Sequence, residues 1–457
     1  MVAVQQTSLR QRVIRGSILS VAGHFVSQGI RLGGNLITTR LLLPEMFGVM
    51  AIANVLFIGI EMLSDLGIRQ NIIQSRRGDD PTFLNTAWSL QIVRGLLLGL
   101  IVLALSALLY GLGWLGWLPK DSAYADQNLP WVIAALSLTP LLKGLESTNM
   151  ATANRNLILG RLTLIEVLSQ IAGPVVIIAW CFYFDRSVWA LVAGWFTVSL
   201  TRMMLSHSYL PGIRNRLRWD RESLESLYHF GKWIFVSSIL GFLLNNGDRL
   251  LFGFYLNSND LGIYSIAFMM VSAVETLLRK LVANVSFPAL SEIYRREPNG
   301  LVKYYYQFRR PIDLVSLFLV GVIFTGGREI IDIFYDDRYV SAGPMLEILG
   351  VSLFFIRFDV AGLCYLVLGK PKLLTIIIFA RVVGLYLLVP LAFQFYDFSQ
   401  AIWVIAINYT VGLPLLFYFN IKNGLFKLAD EIKYLPALIL GAVLGSTFSW
   451  IASELVL

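Results

Sequence analysis

The chain has 457 residues, 56% of them hydrophobic and 14% charged, with a mean hydropathy of +0.68. Soluble domains carry roughly 25% charged residues and lack recurrent apolar stretches of about 20 residues. Here such stretches recur from near Gly16 to the C-terminus with only short polar breaks, which excludes a soluble globular fold. The net charge of +8 suggests nucleic acid only if it is not explained by membrane topology.

The opening MVAVQQTSLRQRVIRGS has no cleavable apolar core before a small-residue site, so the first apolar run reads as a retained helix. Hydropathy predicts an all-α polytopic protein with spans near 16–40, 46–66, 83–111, 129–150, 158–183 and 187–207. The next are near 231–256, 261–285, 310–327, 344–368, 373–395, 399–420 and 434–455. This divides the chain into a cytoplasmic segment 1–15, an N-lobe 16–208, a basic linker 209–230, a C-lobe 231–421 and an additional C-terminal helix within 434–457. With the N-terminus inside, the breaks assigned to the cytoplasm collect most of the Lys and Arg, from Arg10, Arg12 and Arg15 through Arg214, Arg216 and Arg218 to Lys427 and Lys433. The opposite side receives only Arg40, Lys120, Arg186, Arg328 and Arg338. That asymmetry is what the positive-inside rule demands, so the basic charge is topogenic and no nucleic-acid partner is expected.

The two cysteines, Cys181 and Cys364, show no CxxC or Cys/His spacing, and no disulfide framework, metal or cofactor is indicated. No P-loop is present.

Two segments match at a constant offset. R40-L-L-L-P-E-M-F-G-V-M-A-I-A-N aligns with F254-Y-L-N-S-N-D-L-G-I-Y-S-I-A-F, placing Leu42 on Leu256, Gly48 on Gly262, Ala53 on Ala267 and Glu61 on Glu275. At nearly the same offset Pro174 falls on Pro390. Six spans separate the copies, so both halves keep one orientation, the pattern of a parallel repeat with a substrate route between the halves. Chance similarity among Leu/Gly/Ala-rich helices is the alternative.

Ionisable groups at membrane depth are expensive and usually face a cavity or a partner. His24, Gln28, Arg31 and Asn35 share one face of the first span, and Asn54, Glu61 and Asp65 one face of the second. The seventh carries Asn245, Asn246, Asp248 and Arg249, the eighth Ser272, Glu275 and Arg279. These stripes suggest a cationic cavity for a phosphorylated head group with Arg31 and Arg249 as principal donors, since the guanidinium fork suits phosphate oxygens and stays charged. Gln28, Asn35, Arg94, Arg357 and Arg381 join them as candidate substrate-binding residues. Glu61, Glu275 and Asp248 are candidate ion-coupling groups, because burial raises a carboxyl pKa. The competing reading is interhelical salt bridges, such as Arg31–Glu61 or Asp248–Arg249, that only fix packing. Lys143 and Glu146 have the spacing of a local pair.

The stretch Ser286 to Arg310, with SEIYRREPNG and LVKYYYQFRR, reads either as an interfacial helix drawn to anionic lipid or as a solvated connector. Trp114, Trp117, Trp131 and Trp189 fall near outer span ends and read as interface anchors.

TRLLLPEMFGVMAIANVL followed by LSDLGIRQNIIQ resembles the opening of the polysaccharide transporter branch of the MOP (multidrug/oligosaccharidyl-lipid/polysaccharide) exporter superfamily. ANRNLILGRLTLIEVLSQIAGPVVIIAW with SVWALVAGWF resembles the fifth and sixth spans of its Wzx-like members, and NNGDRLLFGFYLNSNDLGIYSIAF the start of their second lobe. The resemblance covers roughly residues 10–420. It implies two six-helix lobes in a V-shaped, pseudo-twofold arrangement. It also implies movement of undecaprenyl-diphosphate-linked oligosaccharide from the cytoplasmic to the periplasmic leaflet of the inner membrane, and a cationic cavity to which Arg31 and Arg249 are carried over. Membrane lipid and the polymerase and chain-length proteins of polysaccharide assembly are the implied partners. Members have twelve or fourteen helices, so a thirteenth departs from the pattern and puts the C-terminus outside.

A flippase working by alternating access is therefore expected. The rivals are a cation-coupled small-molecule exporter of the same fold and a membrane polymerase or ligase. The latter needs a catalytic constellation on a sizeable outer loop, and His24, His207 and His229 show no such spacing.

Overall fold

The computed structural model describes residues 9–62, 64, 67–282, 286, 290, 291, 293, 294 and 301–456, with the side chains of 9–21, 24, 226, 228–237, 281, 455 and 456 left aside. His24 and Asp65 of the sequence-predicted stripes lie outside the described side chains, as do Arg295 and Arg296. Helices make up all the regular structure among the described residues. Ten helical stretches among the described residues are long and apolar enough to cross a membrane, and up to eleven when the bent pair Leu129–Leu145 and Asn149–Arg155 counts as one. The predicted first and seventh spans fall on α1 (Leu9–Leu41) and α10 (Arg221–Tyr255).

Contacts divide the chain into two compact units, Met1–Phe242 and Leu243–Leu457. In the first, α1 packs on α8 (Leu159–Tyr183), which pairs with α9 (Val188–Ser208). Gly34 permits the first contact: an added Cβ would sit 2.7 Å from the Pro174 ring. Beside this pair stand α2 (Pro44–Met62), the short α3 (Ile68–Gln74) and α4 (Pro81–Trp114). Asp80 caps α4, its Oδ1 accepting from the Thr82 N–H at 2.9 Å, and Pro81 opens the first turn where a missing N–H costs nothing.

The fourth span is not one helix. It breaks into α5 (Leu129–Leu136), α6 (Thr139–Leu145) and α7 (Asn149–Arg155), with a bend of 53° before α7. Pro140 cannot donate to the ladder of α5, and α4 crosses the broken segment at backbone contact. A Cβ on Gly95 would lie 2.5 Å from the Pro140 carbonyl oxygen, and one on Gly144 2.6 Å from that of Gln91.

In the second unit, α11 (Ser258–Leu281) follows α10 across the same two-residue break that separates α1 from α2. Asn257 caps it, Oδ1 accepting from the Asp260 N–H at 2.8 Å, where the first copy uses Pro44. The repeated positions are core in both units: Leu42 with Leu256 and Ala53 with Ala267 are buried, and Pro174 and Pro390 each sit inside a helix. The ninth span, α12 (Leu301–Phe334), begins well before residue 310, so the YYYQFRR stretch is helix continuous with the span. The tenth is broken like the fourth, as α13 (Ala342–Gly350), a 3₁₀ segment Val351–Phe358 and α14 (Asp359–Val367). Then come α15 (Pro371–Phe395), α16 (Phe398–Ile407), α17 (Tyr409–Lys422), the one-turn α18 (Leu428–Ile432) and α19 (Pro436–Val456).

The C-terminal helix α19 docks closely on α12. Cβ atoms on Gly441 and Gly445 would meet the carbonyl oxygens of Phe318 at 2.0 Å and Val322 at 2.7 Å, and one on Gly321 the Leu438 carbonyl at 2.3 Å. Small residues four apart let two backbones touch where lipid supplies no hydrophobic drive. Gly441→Leu is expected to cost about 1–3 kcal/mol by overpacking, seen as a lower thermal unfolding midpoint in detergent. Gly111→Ala, where an added Cβ meets nothing, leaves the midpoint unchanged or raised.

Candidate functional site

Each unit encloses a small polar cavity at the repeated carboxylate. In the first, Glu61 at the end of α2 is joined by Gln91 and Arg94 from α4 and Lys143 from α6 around about 50 Å³. Lys143 donates to both Glu61 carboxylate oxygens at 2.8 and 3.0 Å. The bend after α6 turns Glu146 elsewhere, so the expected Lys143–Glu146 pair is replaced by Glu61–Lys143 and by Arg202–Glu146 at 3.2 Å. Arg94 acts as a clamp on the C-terminal end of α2. Its Nη2 donates to the Glu61 carbonyl at 2.9 Å and its Nε to Ser64 Oγ at 3.1 Å.

The cavity of the second unit is larger, about 110 Å³, and more strongly charged. Asn245 and Asp248 enter from α10, Ser272, Glu275 and Arg279 from α11, Ser352 from the 3₁₀ segment, Arg381 from α15 and Tyr409 from α17. Tyr264 donates its hydroxyl proton to Asp248 Oδ2 at 2.7 Å, and Ser352 donates to Glu275 at 2.8 Å. Arg279 pairs with Asp359 at 2.8 Å, and the Arg381 guanidinium lies 4.1 Å over the Tyr409 ring. Two buried polar atoms here, Asp248 Oδ1 and Arg381 Nε, have no hydrogen-bond partner among the described residues. The chamber has room for water or a small ion beside these groups.

Arg357 has a different place from the one its sequence position suggested. It is 1% exposed and lines neither cavity. Its Nε faces Asp313 at 3.2 Å and its Nη2 donates to the Glu431 carbonyl at 2.7 Å. Arg309 of α12 completes the cluster: Nε binds Asp313 at 3.0 Å, while Nη1 and Nη2 take both oxygens of Glu431 at 2.6 and 2.5 Å. Tyr305 and Tyr306 add hydroxyls at 2.9 Å to Arg309 and 3.0 Å to Glu431. The sequence reading left Arg309 in the stretch Ser286 to Arg310, ahead of the ninth span. It is a fully buried residue of α12, and its i, i+4 spacing to Asp313 was the available signal.

Arg31 and Arg249 line neither cavity. Arg31 is exposed, ten residues before the end of α1 and thus about 15 Å along the helix from that end. Gln28 and Asn35 on the same face are half-buried. Arg249 is half-buried with its guanidinium 4.0 Å over the Phe268 ring. At the repeat offset Arg31 falls on Asn245 and Asn35 on Arg249, so both copies carry one arginine and one asparagine a helical turn apart, in opposite order.

Residues 37–344 match the model of a family described as polysaccharide biosynthesis protein, about two thirds of the chain. The chain belongs to this family. Among curated relatives, the lipopolysaccharide biosynthesis protein WzxC of Escherichia coli (strain K12) is 22% identical over 75% of this chain and 67% of its own length. The teichuronic acid biosynthesis protein TuaB of Bacillus subtilis (strain 168) is 23% identical over 78% and 72%. Among solved structures, the lipid II flippase MurJ in an inward closed conformation superposes with a TM-score of 0.69 at 14% identity, over 94% of this chain and 92% of that one. An inward-facing multidrug resistance MATE family transporter of the MOP superfamily gives 0.59 at 13% identity, over 88% and 94%. These likenesses establish the MOP fold for a multi-pass, all-α membrane protein. The fourth and tenth spans, broken in both units, stand beside the cavities, where irregular backbone at membrane depth is tolerated.

The Arg309–Asp313–Arg357–Glu431 cluster balances two positive against two negative charges out of water. Glu431→Gln leaves both arginines undercompensated and is expected to cost about 3–5 kcal/mol, measured as a fall in the unfolding midpoint of the purified protein.

Proposed function

We propose that this family member is a flippase that carries undecaprenyl-diphosphate-linked oligosaccharide units across the cytoplasmic membrane for polysaccharide assembly, with its N-terminus in the cytoplasm. The observation that carries the reading is Arg31, an exposed residue ten positions before the end of the 33-residue helix α1. Facing lipid there it would cost at least about 2.5–3.5 kcal/mol, so it belongs on a polar path. The kinship with proteins of lipopolysaccharide and teichuronic acid biosynthesis supplies the cargo class, and the basic loops supply the orientation. A lipid-linked glycan is moved most cheaply when its prenyl tail stays in hydrocarbon while the diphosphate and sugar cross through the protein. Arg31 and Arg249 are the donors proposed for the diphosphate, with Gln28 and Asn35 beside Arg31 for neutral hydrogen bonds. A guanidinium on an aromatic face, as at Phe268, keeps its edge N–H groups directed away from the ring and able to meet oxygens.

Arg94 and Arg381 are proposed to act differently. Arg94 is spent on holding the end of α2, and Arg381 lies over the Tyr409 ring beside the carboxylates of its chamber. The carboxylates of that chamber, Asp248 and Glu275, are met by hydroxyls from Tyr264 and Ser352, an arrangement suited to taking up a proton or a small cation. Glu61 is already neutralised by Lys143 and fits this role less well. Polymerase and chain-length proteins of polysaccharide assembly are proposed as partners that receive the exported units.

Translocation of lipid-linked oligosaccharide into proteoliposomes is expected to fall about tenfold to a hundredfold in Arg31→Ala and in Arg249→Ala, the worth of one charged hydrogen-bond donor. Unaltered rates in both would reject these positions as the diphosphate donors. Glu275→Gln is expected to retain the fold while abolishing any response of the rate to an imposed proton or sodium gradient; a response equal to that of the unaltered protein removes Glu275 from coupling.

A further inference from the structure

Between α9 and α10 the chain does not loop freely. Residues 211–220 form a strap tied along the first unit at Ile213, Asn215, Arg216 and Arg218. Asn149 Nδ2 donates to the Ile213 carbonyl at 3.1 Å. Asn215 accepts from Ser147 Oγ and donates to Thr148 Oγ1, both at 2.7 Å. The backbone N–H groups of Arg216 and Arg218 then donate to Asn85 Oδ1 and Ser89 Oγ of α4, each at 2.9 Å. The register has a simple origin. Two residues of extended chain advance about 6.6 Å and one turn of helix about 6 Å, so alternate strap amides meet successive turns of α4. At Gly212 an added Cβ would lie 2.1 Å from Asn149 Oδ1, so only glycine lets the chain come this close. At the far end Asp220 caps α10 through Ser223 and lies 3.6 Å from Arg77.

What the strap presents outward is one-sided in charge. Arg214, Arg216 and Arg218 are exposed, and none is held by a carboxylate among the described residues. Between and beyond them Leu217 and Trp219 are 70% and 53% exposed. The strap starts only three residues past the end of the spanning helix α9. It lies on the first turns of α4, a 34-residue helix about 51 Å long against a hydrocarbon core of about 30 Å. A helix longer than the hydrocarbon core by about 20 Å has turns to spare at headgroup level, and the strap steps along its first turns from Asn85 to Ser89. Topogenic arginines need only be present in a loop. They do not need a backbone zipped to a helix, nor a leucine and a tryptophan held out beside them.

We propose that this strap is a docking element for the anionic phospholipid headgroups of the leaflet it faces. Arg214, Arg216 and Arg218 hold headgroup phosphates while Leu217 and Trp219 sink into the acyl boundary. Fixing the backbone in advance removes the ordering cost that a loose basic loop meets on each lipid encounter. The proposal goes beyond the flippase reading, because it concerns the surrounding bilayer and not the cargo.

The test uses the full-length protein reconstituted in phosphatidylcholine vesicles containing trace spin-labelled phosphatidylglycerol or spin-labelled phosphatidylcholine, with the motionally restricted lipid fraction read by electron paramagnetic resonance. The unaltered protein is expected to select phosphatidylglycerol, with selectivity falling by up to about fivefold per arginine removed across R214A, R216A and R218A. Asn85→Ala with Ser89→Ala keeps every charge and releases the strap, and is expected to lose part of the same selectivity; Leu217→Ser with Trp219→Ser is expected to do likewise. Equal selectivity in the triple arginine variant overturns the proposal, and equal selectivity in the Asn85/Ser89 variant overturns the pre-formed strap. If labelling of a cysteine at Ser208 shows that the triple variant inserts inverted, the Asn85/Ser89 variant decides. Lipid association is read without transport, so failure of translocation by the unaltered protein leaves this result standing.

Discussion

A charge at membrane depth must be satisfied by the protein or by what the protein carries, because lipid offers neither water nor counter-ions. Most of this chain's architecture can be understood as two answers to that constraint. The first is closure. Arg309, Asp313, Arg357 and Glu431 meet one another, two tyrosine hydroxyls and a backbone carbonyl, with none more than 9% exposed. A cluster closed in this way has little left to offer a solute. The second answer is a cavity. Asp248 and Arg381 keep buried polar atoms without partners next to space for water, which leaves them able to respond to something entering. The distinction separates charges that hold the protein together from charges that can do work, and sequence position alone does not make it.

That is why the fold was far more legible than the site. Spans are written in runs of about 20 apolar residues, and the polar breaks between them survive any uncertainty of a few residues. The repeat was legible because Gly48 and Gly262, and Ala53 and Ala267, are small residues buried at matching positions. What could not be read was which charge meets which. Lys143 has Glu146 one turn away, yet α6 ends between them and Lys143 meets Glu61, 82 positions earlier in the chain. Arg357 and Glu431 come together only once α18 has folded against α12, a meeting across 74 residues that no local spacing encodes.

The two copies show how a repeat keeps its frame while its chemistry drifts. Both begin with a helix, a two-residue break and a second helix, and both later interrupt a span beside the cavity. The carboxylate at the end of the second helix persists as Glu61 and Glu275, but its partner does not: an ammonium group in one, a hydroxyl in the other. The duplicated geometry therefore keeps the glutamate and changes its surroundings: Lys143 bonds Glu61 directly, while Glu275 meets Ser352 in a cavity it shares with Arg279 and Arg381.

The same reasoning bears on the C-terminal helix, the element that fits the six-plus-six pattern least. A late-added span could be held to the rest by lipid-facing apolar contact alone, and would then be dispensable. Instead α19 meets α12 through glycines at backbone distance, and α18 just before it contributes Glu431 to the buried cluster. Without Glu431, Asp313 alone would face both Arg309 and Arg357 inside the protein. The helix is thus tied in twice, by close packing along its length and by charge at its start. The second tie has no substitute in the lipid, so the segment that leads into α19 is part of what keeps the buried Arg309–Asp313–Arg357–Glu431 cluster in charge balance.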